Sequence, residues 1–353
     1  VSGGGVWVRE KCFPTLRRCT ISGNLGGGLN FGDASSPVLE DCTISGNAPM
    51  EAGGLGDGLS LGNSTPKLIR CTISGNSTSG IFGFSQASGA ELIDCTLSGN
   101  GDFGFVCLDG MGPISLTNCA IWGNRGGVHM PLSASVTMTN CTISGNSGVG
   151  VQCPGALLPV LTNCIVWPEV ACGQLSGCLT DRDPLFVKKG VFDFQRRKTV
   201  QFEDAAREMP DFVVEAPDLR LQPGSPAIDS GTAEGAPGKD IEGQDRPCGA
   251  GVDIGAHELC SGSPVEFIRS DADGSGKLDI TDPIFLLNHL FLGGGAPTCL
   301  AAGDANDDDK LDISDAVYSL SFQFLGGPAP ASPFPGCGTE ASTGALDCRK
   351  IGR

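Results

Sequence analysis

Leu68-Ile69-Arg70-Cys71-Thr72-Ile73-Ser74-Gly75-Asn76 is one copy of a phrase that occurs seven times before residue 170. The other copies are Leu16 to Asn24, Leu39 to Asn47, Leu92 to Asn100, Leu116 to Asn124, Met138 to Asn146 and, cut short, Leu161 to Trp167. Their cysteines, Cys19, Cys42, Cys71, Cys95, Cys119, Cys141 and Cys164, stand 23, 29, 24, 24, 22 and 23 residues apart. Each copy contains three short apolar alternations. One runs through the cysteine, as in Cys42 and Ile44; one follows a glycine, as in Gly28-Leu29-Asn30-Phe31; one precedes the next cysteine, as in Ile114-Ser115-Leu116. Period two, three times per repeat, predicts three strands in each repeat with one face in and one face out. A period this short excludes paired-helix repeats. Composition agrees: 54 Gly and 23 Pro among 353 residues, with 40% apolar residues, exclude both disorder and a helical bundle.

Three strands per coil resemble the right-handed parallel β-helix (pectate-lyase-like) superfamily over about residues 1 to 180. The fold class read here is mainly β, about seven stacked coils, followed by a small helical domain. Stacking turns every repeat position into a column with a rise of roughly 4.8 Å per coil. Leu or Met, then Cys, then Ile, Leu or Val point inward. Asn24, Asn47, Asn76, Asn100, Asn124 and Asn146 form a turn ladder, because Asn suits tight turns and its amide bonds both backbone and the next Asn. The cysteine column is expected to stay reduced, with Cys107 and Cys153 joining it, since adjacent Cβ atoms lie wider apart than the roughly 3.8 Å that a disulfide prefers. Gly5-Val6-Trp7-Val8 matches the middle of a repeat, so further coils are expected before Val1.

The charge, 23 basic against 40 acidic residues for a net −17, argues against nucleic acid as a partner. No apolar run reaches the length of a membrane span. The charge is uneven: −4 over residues 1–180, −6 over 181–260 and −7 over 261–353.

After Cys178 the period is lost. Asp183-Pro184-Leu185-Phe186, Leu219 to Gly231, Asp240 to Pro247 and Val252 to Glu258 occur in order. These phrases resemble the choice-of-anchor Q domain of bacterial surface and secreted proteins, which implies that residues 181–260 close the β-helix. Among the remaining cysteines, Cys172, Cys178, Cys248, Cys260, Cys299, Cys337 and Cys348, local pairs Cys172–Cys178 and Cys337–Cys348 are expected, although spacing alone cannot set connectivity.

Residues 261–353 carry the sharpest chemistry. Asp271, Asp273, Ser275, the Lys277 carbonyl, Asp279 and Asp282 fill positions 1, 3, 5, 7, 9 and 12 of a twelve-residue loop, with glycines at 4 and 6. Thirty-three residues on, Asp304, Asn306, Asp308, the Lys310 carbonyl, Asp312 and Asp315 repeat the pattern with Asp309 in place of the sixth-position glycine. All-oxygen donors at this spacing point to calcium at two sites, the second weaker. Each loop leads into an apolar helix, Pro283 to Leu292 and Ala316 to Leu325, ending in Gly-Gly. Two such units without an entering helix resemble a type I dockerin, which implies an extracellular bacterial protein. A cohesin-like partner is less well matched, because loop positions 10 and 11 are Ile280-Thr281 and Ile313-Ser314 rather than small hydroxyl pairs.

The outward columns of the rod are Thr and Ser, with no activated nucleophile. One charged patch stands out: Arg18, Asp41, Arg70 and Asp94 precede the cysteine in successive coils, with Lys67 and Glu91 nearby. Alternating signs predict a self-compensating ladder; for catalysis, the candidates are Asp41, Lys67, Arg70, Glu91 and Asp94. The function read from this pattern is a secreted or cell-surface scaffold that binds a glycan or a protein without turnover. The alternative is a polysaccharide lyase or glycoside hydrolase with its active coils upstream or at that patch.

Overall fold

The computed structural model describes residues 4–50, 56–85, 88–108, 111–131, 134–155, 157–168, 172–202, 206–260, 267–297, 299–308 and 310–338. The chain divides into two compact units, Val1–Cys260 and Ser261–Arg353.

The first unit is a solenoid of three parallel sheets. The first sheet has seven strands, from Val6–Val8 to Val151–Gln152; the second has eight, from Thr15–Arg17 to Gln174–Ser176; the third has seven, from Thr20–Ser22 to Ile165–Trp167. Each strand pairs with the equivalent strand of the next coil, so Ile44 stands beside Ile73, and Leu97 beside Ile121. The inward columns are closed to water: Leu39, Leu68, Leu92 and Met138 are fully buried, as are Ile44, Ile73, Leu97, Ile121 and Ile143. Each such side chain contributes roughly 1.5–3 kcal/mol of burial.

Two corners shape each coil. Between the second and third sheets, a single residue in the left-handed region turns the chain: Arg18, Asp41, Arg70, Asp94, Asn118, Asn140 and Asn163, all with φ between 49° and 55°. Past the third sheet, a left-handed glycine such as Gly75 precedes the ladder asparagine. The ladder forms as the sequence predicts. Asn76 donates its backbone N–H and its Nδ2 to Asn100 Oδ1, at 3.1 and 3.0 Å, and its Nδ2 also reaches the Ile44 carbonyl at 3.2 Å. The glycine that opens each first-sheet strand has a steric reason, since a Cβ on Gly58 would lie 2.6 Å from Ile73 Cγ2 and 2.7 Å from Asn76 Nδ2.

The cysteine column is a run of free thiols, and Cys178 adds an eighth member by receiving the Cys164 N–H on its Sγ at 3.3 Å. Burial pushes the Cys107, Cys119 and Cys164 thiols well up, away from reactive thiolate. The expectation fails at Cys153, which is joined to Cys172 with Cα atoms 5.9 Å apart. Cys172 lies beside the last first-sheet strand and Cys178 on the buried column, so the expected Cys172–Cys178 bond has no geometry to form. Cys248 pairs with Cys260. Cys337 is an exposed free thiol while Cys299 is disulfide-bonded, which overturns the expected Cys337–Cys348 pair; Cys348 lies outside the described residues.

Residues 181–260 form a strap along the rod. Three antiparallel ribbons follow one another, Phe186–Lys188 with Asp218–Leu221, Val191–Phe192 with Val213–Glu215, and Arg197–Gln201 with Ala206–Pro210. The Phe192 ring lies over Gly123 and Gly145, and at the far end Phe202 and Met209 pack on Ala48. Thr142 and Ser144 are thereby buried, so the outward Thr and Ser columns are not a continuous hydroxyl surface.

In the second unit, α1 (Thr281–Leu292) and α3 (Ile313–Leu325) each end on a left-handed glycine, Gly293 and Gly326, both at φ 71°. A short α2 (Leu300–Gly303), which the sequence does not announce, precedes the second loop. Ala272, Leu286 and Ala316 form the small core between the helices.

Candidate functional site

The first acidic loop folds around its own carboxylates. Ser275 N–H donates to Asp271 Oδ1 at 3.0 Å and to Asp273 Oδ1 at 2.9 Å, while Gly276 N–H reaches Asp271 Oδ2 at 2.9 Å. Asp282, fully buried at the start of α1, accepts from Asp279 N–H at 2.9 Å and Asp273 N–H at 3.4 Å. Asp271, Asp273 and Asp282 thus offer oxygens within 4.8 Å of one another. Burial pushes the Asp282 carboxyl up to about 6, as expected where like charges converge out of water. Asp279 is turned instead to the helix start, accepting from Thr281 N–H and Oγ1 at 2.8 and 2.6 Å. The Lys277 carbonyl accepts from Ser275 Oγ at 3.2 Å.

The second loop repeats the scaffold. Asp315 accepts from Asp312 N–H at 2.9 Å and Asn306 N–H at 3.4 Å, and burial raises its carboxyl to about 6. Asp308 N–H donates to Asp304 Oδ1 at 3.1 Å, and Lys310 N–H to Asp308 Oδ1 at 3.0 Å; Asp309 lies outside the described residues. One feature separates the loops. Arg269, almost fully buried, contacts Asp307 at 2.9 Å and Asp304 at 4.0 Å, and donates to the Asp304 carbonyl at 2.8 Å. A resident guanidinium offsets negative charge where the second loop begins, a handicap additional to the missing glycine. Nothing in the loop spacing announces it.

On the rod, the charged candidates meet as pairs. Arg70 holds Asp41 through two bonds, Nε to Oδ1 at 2.7 Å and a terminal nitrogen to Oδ2 at 3.0 Å, and keeps that carboxyl below the usual carboxylate range. Lys67 and Glu91 are 2.9 Å apart, and Asp94 accepts from Asn118 Nδ2 at 3.0 Å, with burial raising its carboxyl. Four of the five therefore meet as two ion pairs, while Asp94 has an amide partner and joins no ion pair among the described residues.

The same corner column has a second role. Where it changes from Arg and Asp to Asn, the strap begins: Asn118 Nδ2 donates to the Lys239 carbonyl at 2.7 Å, Asn140 Nδ2 to the Asp253 carbonyl at 3.0 Å, and Asn163 Nδ2 to the Thr232 carbonyl at 2.8 Å. Left-handed Asn satisfies both the turn and the docking contact, and the switch in residue type was the available signal. The strap's motif residues are equally structural. Arg246 and Glu258 form a wholly buried pair at 3.4 Å, and Glu258 caps the Cys248 and Asp253 N–H groups.

A family model described as "Right handed beta helix region" matches residues 1–121 and again residues 58–173. The rod is a right-handed β-helix. No curated protein matches the chain. Among solved structures, the β-helix is similar to that titled "Crystal structure of pectate lyase Pel9A", with a TM-score of 0.50, 17% identity, and coverage of 72% of this chain and 70% of that one. At that identity the likeness is one of fold. The β-helix match does not extend to the acidic loops, whose dockerin resemblance rests on their own residues, as the choice-of-anchor Q resemblance rests on the strap's phrases. Among the described residues, no helix is long and apolar enough to cross a membrane.

Proposed function

We propose that this chain is a secreted or cell-surface scaffold whose β-helix presents an extended, non-catalytic binding surface and whose dockerin-like tail is ordered by calcium. The convergence of Asp271, Asp273 and Asp282 within 4.8 Å carries the reading. Asp271, Asp273, Ser275, the Lys277 carbonyl, Asp279 and Asp282 would hold the first ion, and Asp304, Asn306, Asp308, the Lys310 carbonyl, Asp312 and Asp315 a weaker second. Calcium would neutralise the carboxylates from which both helices start. Exposed Ile284, Phe291, Val317 and Phe324 on α1 and α3 supply an apolar face for an attachment partner.

Lack of turnover is supported by the rod's charged groups. A lyase or glycosidase needs a carboxylate or cation free to act on substrate, whereas Asp41, Lys67, Arg70 and Glu91 are already engaged in ion pairs and Asp94 is held by the Asn118 amide. The pectate lyase fold keeps polysaccharide as the ligand class and catalysis as the competing reading. Two assays on the full chain test the proposal. Removing calcium with EDTA lowers the melting temperature of the tail and spares the rod, and incubation with pectin, alginate and sulfated glycans releases no product. Calcium-independent melting would remove the tail claim. Turnover abolished by Arg70→Gln would establish the enzyme.

A further inference from the structure

The strap and the third sheet border a shallow, open cleft of about 550 Å³, within the size range of small-molecule sites. Its floor is the outer face of two adjacent strands, Thr96–Ser98 and Ala120–Trp122, from which Thr96 and Trp122 project. Its walls come from two separate stretches of the strap, Pro217 to Arg220 and Ile241 to Glu242, together with His257. Its lining comes from the first unit alone and does not include the charged patch.

The lining is amphipathic in a specific way. Trp122 supplies a half-buried aromatic surface, held by the apolar cluster beneath the strap and by Phe192, tilted against it at a ring-centroid distance of 6.3 Å. A ring held in place loses little freedom when a ligand stacks on it. Around it stand acceptors and donors: Asp218 and Glu242 as carboxylates, Arg220 bonded through Nε to Asp218 Oδ1 at 2.9 Å, and the Thr96 hydroxyl. His257 completes the wall as a neutral ring, its value lowered to about 4 by burial, with Nδ1 closed off from the groove.

The charge of the cleft selects among ligands. Two carboxylates face one guanidinium that is already paired, so the lining carries a net charge of −1. A uronate, sulfate or phosphate would enter against that charge, and a lipid or apolar peptide would strand the polar rim. A neutral pyranose fits both halves, presenting a C–H face to an aromatic ring and a rim of hydroxyls to carboxylates and donors.

We propose that this cleft binds a pyranose unit of a neutral glycan, stacked on Trp122 and hydrogen-bonded by Glu242 and Arg220. It gives the scaffold reading a ligand class and a place, and rests on that reading for its biological sense. The site exists only because the strap folds back over the rod, so neither the repeat nor the strap sequence announces it alone.

The test is calorimetric titration of the calcium-loaded full chain with β-1,4-linked hexasaccharides of glucose, mannose and xylose, and with hexagalacturonate as the anionic arm. At least one neutral hexasaccharide binds with Kd near or below about 1 mM. Trp122→Ala and Glu242→Gln each weaken that binding about tenfold or more, while Trp122→Phe keeps most of it. Glu242 is exposed, so Glu242→Gln remains informative if Trp122→Ala disturbs packing. Failure of all three neutral probes at about 10 mM, unchanged affinity in Glu242→Gln, or tighter binding of hexagalacturonate would each overturn the proposal. New reducing ends in the same samples would count against the non-catalytic reading instead, leaving the cleft judged on affinity alone.

Discussion

Replacing Asn76 by Ala probes the ladder that sets the coil stacking. The side chain is fully buried and makes four bonds: Nδ2 to the Ile44 carbonyl and to Asn100 Oδ1, and Oδ1 from both the N–H and the Nδ2 of Asn47. At a net worth of roughly 1 kcal/mol each, their loss amounts to about 4 kcal/mol, and the stranded Asn47 donors would add to it. Asn24, at the first rung, is only half-buried, and its side chain makes one ladder bond, to Asn47 Oδ1 at 3.0 Å, so Asn24→Ala costs about 1 kcal/mol. The assay is urea unfolding followed by tryptophan fluorescence. Trp7, Trp122 and Trp167 all lie in the first unit, so the tail is silent. A pronounced excess cost for Asn76→Ala over Asn24→Ala is expected. Equal costs, or less than about 1 kcal/mol for Asn76→Ala, would refute the view that the buried amides hold the coils in register.

Two further outcomes follow from the same structure. Thiol titration of unreduced protein should give at least eleven free thiols after denaturation, while in the native state Cys12 and Cys337 react fast, the half-buried Cys19 and Cys178 stay partly accessible and the fully buried thiols do not react; fewer than eleven would contradict the free-thiol assignment. His257, whose folded value is lowered to about 4 from 6.5, contributes a stability that is fully present above pH 6.5 and lost as pH falls toward 4, because only the unfolded chain takes up the proton in that window. Relative to His257→Gln, the native protein should therefore lose about 2 to 3 kcal/mol between pH 7 and pH 4.5 in urea midpoints, and parallel pH profiles would show that the ring is solvated.

The rod was legible because its signal is repeated: Cys, Ile and Asn at a common period allow little besides stacked strands. The alternating charges were legible as a ladder: the corner column forms the Arg70–Asp41 rung, and Lys67 pairs with Glu91 on the adjoining strands. The column's left-handed backbone was only partly announced, since Asp and Asn are enriched in that conformation whereas Arg18 and Arg70 give no such signal. The Cys153–Cys172 bond was missed because the ladder argument applies to cysteines stacked in one column. These two instead lie 19 residues apart where the last coil is shortened, and their Cα atoms approach to 5.9 Å. The strap's path back to Ala48 could not be read from residues 181–260, whose contacts are long-range and unrepeated. In the tail, loop spacing placed Asp271, Asp273 and Asp282 together, but the intrusion of Arg269 at the second loop depends on a residue outside both motifs.

The account turns on calcium in the tail, and the most direct measurement is calorimetric titration of calcium into the EDTA-stripped full chain, native and Asp282→Asn. The native protein should take up calcium at two sites of unequal affinity, and Asp282→Asn should remove the tighter one. Absence of binding heat and calcium uptake in the native chain, or a titration unchanged by Asp282→Asn, would contradict it.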